Sequence, residues 1–433
     1  MTNSVFSFQT FACKLRRAAH LLVYAVLALM PFTWEFKGLA PADVALGLAA
    51  GLWVLALALD WKTGAPALRG LARYWPMGLY ALWTVVAACF AESPKLALVK
   101  VFQTVEYFLV AIVLLHDFLG TTDYGLRTTD FTRRLRNTGG VVLAVFAACL
   151  ALAAWQYFNG LGDDDSFGVR GFFKHRNIFA GYVALLAPVC FGVMCAVRNW
   201  ALKIGLGLLA ALALLVALSG AAYAAVLLAI AGLAAVRGKG WFLATVAALA
   251  FFHVALEKGA DHGFLRNNIA RHLESVEMYE SDGQPAPRYP EWQAAAYLLA
   301  DYPLAGVGPG KNYQHKIGQY FGVIPRSPRD KNESDVEIQN QWLLLGATLG
   351  IPGLLAFLAM LVSGVCAGAR AAWRMGRGDW RRGLAGGLVA GLLAYASVLV
   401  WHSALVRGVG LVFVAMLAAC HALDAETERE KTP

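Results

Sequence analysis

Residues 204–236 read IGLGLLAALALLVALSGAAYAAVLLAIAGLAAV, and this stretch decides the class of fold. It contains no charged side chain, and apolar residues surround every face of the helix that it would form. A helix on the surface of a soluble protein is apolar along one stripe only, so this pattern is typical of helices in a membrane. We predict two membrane spans here, at 201–218 and 220–236.

The same apolar pattern recurs along the chain. Of its 433 residues, 59% are hydrophobic and only 15% are charged. The apolar residues form blocks of roughly 17–23 residues, the length that crosses a bilayer, which excludes a soluble globular protein. We predict an all-α polytopic membrane protein with about twelve transmembrane helices and a small, mostly helical periplasmic insert before the tenth span. The predicted spans are 17–34, 39–60, 74–92, 96–117, 139–158, 177–197, 201–218, 220–236, 240–257, 341–369, 384–402 and 406–423.

Lysine and arginine are concentrated in alternate short loops, which sets the orientation of the spans. By the positive-inside rule, most of those loops and both termini are cytoplasmic. A net charge of +9 could also attract nucleic acid. Because membrane orientation explains the position of these charges better, the expected contacts are membrane lipids and no nucleic acid.

The spans divide the chain into three regions. Residues 1–257 contain spans one to nine, residues 258–339 form the insert, and residues 340–433 contain spans ten to twelve and a cytoplasmic tail. Gly and Pro in the insert punctuate helices rather than build a sheet. Within it we predict helices at 269–279 and 289–300, a break at 282–287, and a turn at 306–310.

Basic residues on the non-cytoplasmic side depart from the positive-inside rule and indicate an anion-binding surface. His175, Arg176 and Asn177 lie where the sixth span begins, so unpaired backbone N–H groups would add to their positive charge and suit a phosphate. The alternative is that the basic side chains contact lipid headgroups or balance the acids at 163–165. The candidate binding residues here are Arg170, Lys174, His175, Arg176 and Asn177, with Lys311 in the insert.

Arg288 to Trp292 form a second candidate element. Pro290 suits the first turn of a helix and would fix the backbone next to the planar charge of Arg288 near the membrane surface. Trp292 is either an interfacial anchor or a platform on which a sugar stacks. The sequence contains no glycine-rich nucleotide loop, HExxH helix, Ser-His-Asp signature or EF-hand loop, so the enzyme classes that these motifs mark are unsupported, and we expect no cofactor.

Two segments resemble the core of the superfamily of O-antigen ligases and Wzy-type polymerases. Residues 288–310 read RYPEWQAAAYLLADYPLAGVGPG, and residues 340–353 read NQWLLLGATLGIPG. Residues 172–182 are similar to another recurring segment of that superfamily. The resemblance implies a metal-independent glycosyltransferase of the bacterial inner membrane, with its active site on the periplasmic face. It would take a glycan from undecaprenyl diphosphate, with Arg176 and Arg288 holding the diphosphate.

The acceptor distinguishes the two branches of this superfamily. In ligases, which act in lipopolysaccharide biosynthesis, it is the lipid A-core oligosaccharide; in polymerases it is another carrier-linked glycan. The pattern as a whole favours the ligase. A transporter of lipid-linked sugars is the competing class and a membrane scaffold a third, but no inverted internal repeat supports a transporter.

Two positions depart from the family pattern. Members carry a His directly before the Asn that opens the tenth span, whereas this chain has Gln339 before Asn340, and members often carry an Arg where this chain has Ala222. Three interpretations stay open. Glu337 acts as the base or orients the nucleophile; the chemistry needs little base and Gln339 only binds the acceptor; or the protein is an altered relative or aligns differently.

Overall fold

The computed structural model describes residues 2–32, 40–60, 71–106, 108, 113, 115, 128–159, 161, 169–216, 219–248, 288–321 and 337–431. The side chains of residues 2–9, 71, 128–130, 220, 288, 321 and 407 are outside the description. Every regular element among the described residues is helical. The predicted helix at 269–279 and the break at 282–287 lie outside the described residues, as do the acids at 163–165.

The helices follow the apolar blocks of the sequence, and residues 239–248 are also helical. Helix α1 covers Thr2–Leu29, α2 Pro41–Leu59, α3 Trp75–Ala88, α4 Pro94–Val105, α5 Thr128–Phe158, α6 Arg176–Met194 and α7 Trp200–Val216. Helix α8 covers Gly220–Arg237, α9 Arg288–Asp301, α10 Gln314–Phe321, α11 Gln341–Arg374, α12 Trp380–Trp401 and α13 Arg407–Arg429.

Six helical segments in the described residues are long and apolar enough to cross a membrane. Two shorter apolar helices lie between them, Trp200–Val216 and Ala221–Arg237. The fold is therefore consistent with a polytopic membrane protein, and the number of twelve spans remains a prediction. The six segments are Pro41–Leu59, Phe131–Phe158, Arg176–Met194, Gln341–Arg374, Trp380–Trp401 and Gly408–Arg429.

Helices α6 and α12 form the centre of the bundle through glycine contacts. Residues 179–192 of α6 are all buried. A Cβ built on Gly192 would lie 2.5 Å from the carbonyl oxygen of Gly383 and 2.8 Å from the Cα of Gly387, so the two backbones touch. Gly391 continues the same four-residue spacing along α12. Small residues at this spacing allow the close helix approach that drives packing inside a membrane.

The bundle has two chemically different ends. The end that carries α9, α10 and the 401–406 connector is called the insert side here, and the opposite end the basic side. On the basic side, Asp424 of α13 accepts from Arg370 and Arg374 of α11, at 2.9 and 2.8 Å. Arg73 donates to Glu428 at 2.8 Å. These ion pairs tie α11 and α13 together and hold the residues before α3 against them.

Helix α11 is broken one-third of the way along its length, where the sequence predicted an uninterrupted span. Gly350 has φ of 69°, in the left-handed region that glycine tolerates. Pro352 has no N–H to offer Thr348, and the N–H of Ile351 turns outward to Pro303 at 2.8 Å. The carbonyl groups of Ala347 and Thr348 accept from Val307 and Gly308 instead, at 2.9 and 3.1 Å.

The segment 303–310 therefore fills the break as a turn, in agreement with the turn predicted at 306–310. Its other face meets the connector between α3 and α4 and the start of α4. A Cβ built on Gly308 would lie 2.7 Å from the Cα of Ala91, and one built on Gly310 would lie 2.7 Å from the carbonyl oxygen of Leu96. A separate apolar cluster covers the turn on the insert side and joins α9 and α10 to α11. It contains Ala294, Ala295, Leu298, Val307, Tyr313, Ile317, Tyr320, Ile338 and Ala347.

Candidate functional site

The 401–406 connector between α12 and α13 is the point where the candidate residues meet. The ring of Trp401 lies 5.6 Å from the ring of Trp292 on α9, centroid to centroid. The next residue, His402, places its Nε2 atom 3.1 Å from the hydroxyl of Ser219, and both side chains are buried. The connector thus joins the start of α9 to the residue before α8.

The same connector also reaches α6 and α11. The N–H of Leu405 donates to the side-chain oxygen of Gln341, the first residue of α11, at 3.2 Å. A Cβ built on Gly181 of α6 would lie 3.4 Å from the Cβ of Ala404. The hydroxyl of Tyr395 in α12 donates to the carbonyl of Ala404 at 2.8 Å, which holds the connector against α12. Three helices that are far apart in sequence, α6, α11 and α12, therefore all contact residues 404 and 405 of the connector.

Helix α6 begins at Arg176, as the sequence predicted within one residue. His175 is its N-cap residue and makes no side-chain capping hydrogen bond. His175 is exposed, while Arg176 and Asn177 are half-buried. Arg176 is thus the first residue of α6, five residues before the contact between Gly181 and the connector.

The segment before α6 is held by one glutamine. Gln156 of α5 accepts from the N–H groups of Arg170 and Gly171 at 3.2 and 2.9 Å and donates to the carbonyl of Gly171 at 3.0 Å. Gly171 has φ of 56°, which turns the chain toward α6. The side chains of Arg170 and Lys174 are exposed on the insert side. They extend the positive surface at the start of α6.

Helix α11 begins with a capped turn. Asn340 is buried, and its side-chain oxygen accepts from the N–H of Leu343 at 3.0 Å. Its amide oxygen therefore has a structural role, while the predicted role in binding remains a prediction. Gln339 is half-buried, and its Oε1 atom is buried without a hydrogen-bond partner among the described residues. A buried acceptor without a partner is costly unless a ligand or water satisfies it.

Glu337 lies before the helix rather than within its first turn. It is exposed and precedes the N-cap residue, Asn340, by three positions. Burial raises the pKa of the Tyr313 hydroxyl, and the negative charges of Glu337 and Glu291 raise this pKa further. Both carboxylates therefore lie near Tyr313, on the flank of the site formed by the apolar cluster of the insert.

The three remaining candidates lie on α9 and on the turn Gly310–Tyr313. Trp292 is half-buried, and its Nε1 atom is buried without a partner among the described residues. Arg288 is the first residue of α9, and its side chain lies outside the description. Lys311 is exposed on the turn Gly310–Tyr313, which packs against α4 through Asn312 and Ser93 at 2.8 Å. The structure therefore places Lys311 beside the start of α4.

Helix polarity adds to the charge of this region. Helices α6, α8, α11 and α13 all begin on the insert side around the connector. The N-cap residues of α6, α8 and α13 make no side-chain capping hydrogen bond, so the N–H groups of their first turns keep their positive partial charge. Together with Arg176, Arg170 and Lys174, these ends form a site that suits a polyanion such as a diphosphate.

His402, Ser219 and Trp401 belong to this region, yet the sequence analysis missed them. Ser219 and His402 are 183 positions apart, and neither lies in a recognisable motif. One signal was available, since His402 is the last residue of the predicted span 384–402, and a polar residue at the end of a span lies near the membrane surface. That signal alone does not identify a partner.

Two comparisons with known proteins bear on this site. A comparison with curated proteins returned no match. The family model Wzy_C, described as O-antigen ligase, matches residues 205–358. The matched part includes Ser219, the start of α9, the turn that fills the break of α11, and the residues before that helix. Over these residues the chain is similar to the superfamily of O-antigen ligases and Wzy-type polymerases.

Proposed function

We propose that this protein is an O-antigen ligase of the bacterial inner membrane. It transfers a glycan from undecaprenyl diphosphate to the lipid A-core oligosaccharide on the periplasmic face, as a step of lipopolysaccharide biosynthesis. The observation that supports this most is the meeting of three uncapped helix N-termini with Arg176 around the 401–406 connector. The family match supplies the reaction class.

The diphosphate is the part of the donor that this charge suits. Arg176 and Arg288 hold the diphosphate and neutralise the negative charge that grows on it as it leaves the anomeric carbon. The N–H groups at the starts of α6, α8 and α13 add donors without a side chain. Arg170 and Lys174 are exposed farther from the connector and contribute to attraction of the donor.

The glycan and the acceptor lie on the flank of the site formed by α9 and α11. Trp292 and Trp401 present two indole rings inclined at 51°, and a sugar stacks on this pair. The unpaired Oε1 atom of Gln339 accepts a hydrogen bond from the acceptor. Glu337 is exposed and well solvated, so it orients the attacking hydroxyl rather than acting as a strong base.

A reconstituted transfer reaction tests this function. Purified protein is mixed with undecaprenyl-diphosphate-linked glycan and lipid A-core, without added nucleotide or metal, and the products are separated on a gel. A ladder on lipid A-core is expected for a ligase. Elongation of the carrier-linked glycan instead would identify a polymerase, and absence of both products from folded protein would contradict a glycosyltransferase.

A further inference from the structure

The paired side chains of Ser219 and His402 suggest a function beyond those that the family resemblance assigns. Ser219 is 8% exposed and His402 is 5% exposed. Their side chains meet at 3.1 Å, oxygen to Nε2. His175 and His315, the other two histidines described on the insert side, are exposed, so a buried imidazole that touches a hydroxyl is a distinct feature of the described site.

The hydroxyl of Ser219 contacts His402 and does not cap its own helix. It is the N-cap residue of α8, where a serine hydroxyl ordinarily accepts from an N–H of the first turn. No such side-chain hydrogen bond is present at this cap. The hydroxyl faces the imidazole instead, and α8 starts uncapped. A serine that serves only the helix would have the opposite arrangement.

The position of the pair relates it to the reacting groups. His402 lies between Trp401, which contacts Trp292, and Leu405, which donates to Gln341. The connector that carries His402 therefore contacts α8, α9 and α11, and the acceptor is proposed to lie on α9 and α11. Gln339 has no basic nitrogen or carboxylate, so the proton of the attacking hydroxyl needs another acceptor.

We propose that the Ser219–His402 pair takes the proton of the attacking hydroxyl, with Ser219 contacting the hydroxyl and His402 acting through Ser219. This proposal rests on the proposed glycosyl transfer. The acceptor oxygen bonds to the anomeric carbon, and the bond from that carbon to the diphosphate breaks with its electron pair retained by the diphosphate. The acceptor proton passes to Ser219 Oγ as the Ser219 proton passes to His402 Nε2, and the imidazolium later releases it to water.

Other ionisable groups lie on the elements around the pair. An acid limb is expected because a protonated imidazole cannot accept the serine proton. The assay covers the range between about pH 5.5 and about pH 9. The surrounding groups are Glu291 on α9, Glu337 before α11, His175 and Arg176 at the start of α6, Tyr223 on α8 and Tyr395 on α12, and Arg288 and Arg407 are the first residues of α9 and α13.

The test compares kcat and KM across this pH range for the wild type and four variants. His402→Gln is expected to lower kcat by about 100-fold or more, with KM changed by less than about 3-fold, and to remove the acid limb. Ser219→Ala is expected to lower kcat by at least about 10-fold, and Ser219→Thr to restore most of the rate because it keeps the hydroxyl. His315→Gln, an exposed histidine on α10, serves as the matched control with a normal profile.

The outcomes separate this proposal from the proposed function. If the wild type is active and His402→Gln either has the same rate or has a lower rate with an unchanged acid limb, the proton transfer through His402 is overturned and the proposed function is not. Wild type without product in either the ligase or the polymerase reaction would overturn both proposals. The Ser219 variants keep the test decisive if His402→Gln fails to fold, since loss in Ser219→Ala without rescue in Ser219→Thr would also contradict it.

Discussion

The N–H of Ile351 donates to the carbonyl of Pro303 at 2.8 Å, outside its own helix. This hydrogen bond is one of three by which the turn before α10 is attached to α11. The helix leaves two carbonyls and one N–H without partners at its break, and the turn at 303–308 satisfies all three. Irregular backbone at such depth is tolerated where protein supplies the missing hydrogen bonds.

Gly350→Ala should therefore weaken the whole insert side. A Cβ at this position would clash with the carbonyl of Leu304, and φ of 69° is unfavourable for alanine. We expect a loss of about 3 kcal/mol or more of unfolding free energy, measured as a lower melting temperature in detergent. Gly47→Ala is the control, because that glycine lies in α2 with no atom near a built Cβ. Equal melting temperatures for both variants would contradict the role of the break.

The diphosphate clamp predicts a loss of activity without a loss of fold. Arg176→Ala and Arg288→Ala should each lower transfer by at least about 100-fold, because a charge contact to the leaving diphosphate is removed. Initial rates at saturating acceptor measure this. Lys95→Ala removes an exposed cation on the same side of the membrane and should retain the wild-type rate. Normal turnover in both arginine variants would exclude the clamp.

Glu337→Gln tests whether Glu337 orients the attacking hydroxyl or takes its proton. The substitution keeps the shape of the side chain and removes its charge, and Glu337 is exposed near Tyr313. We expect a fall in kcat of about 10-fold, smaller than that of His402→Gln, with the acid limb of the pH profile retained. A loss of that limb in Glu337→Gln would assign the base to Glu337 and not to the Ser219–His402 pair.

The indole pair predicts an effect on donor binding. Trp292→Ala and Trp401→Ala should each raise KM for the glycan donor by about 5-fold or more, because a stacking surface is lost. A titration of donor at fixed acceptor measures the change. Trp373→Ala is the control, since Trp373 lies on the basic side and is 88% exposed. Wild-type KM values in both ring variants would indicate that Trp292 and Trp401 are membrane-surface anchors only.

The sequence predicted the class of fold because membrane helices have a strong local signature. Blocks such as 177–197 and 384–402 correspond closely to α6 and α12. The start of α6 was predicted within one residue, since charged residues end abruptly where the apolar block begins. The turn at 306–310 was also predicted, because Gly306, Gly308 and Gly310 permit the positive φ angles that the structure has.

The contacts that build the site could not be predicted from local patterns. The break at Gly350 depends on a turn more than 40 positions earlier in the chain, and the sequence of α11 alone reads as one continuous span. The Ser219–His402 contact also joins residues far apart in the chain, and neither residue lies in a recognisable local motif. Long-range geometry decided each of these cases.

The most direct measurement of the central claim is the stoichiometry of the reaction. Purified wild-type protein is incubated with carrier-linked glycan and lipid A-core in the presence of a metal chelator, and released undecaprenyl diphosphate is quantified against transferred glycan. We predict one diphosphate carrier released for each glycan transferred, with an undiminished rate. Product without carrier release, carrier release without product, or loss of the reaction in the chelator would contradict a metal-independent transfer from the lipid diphosphate.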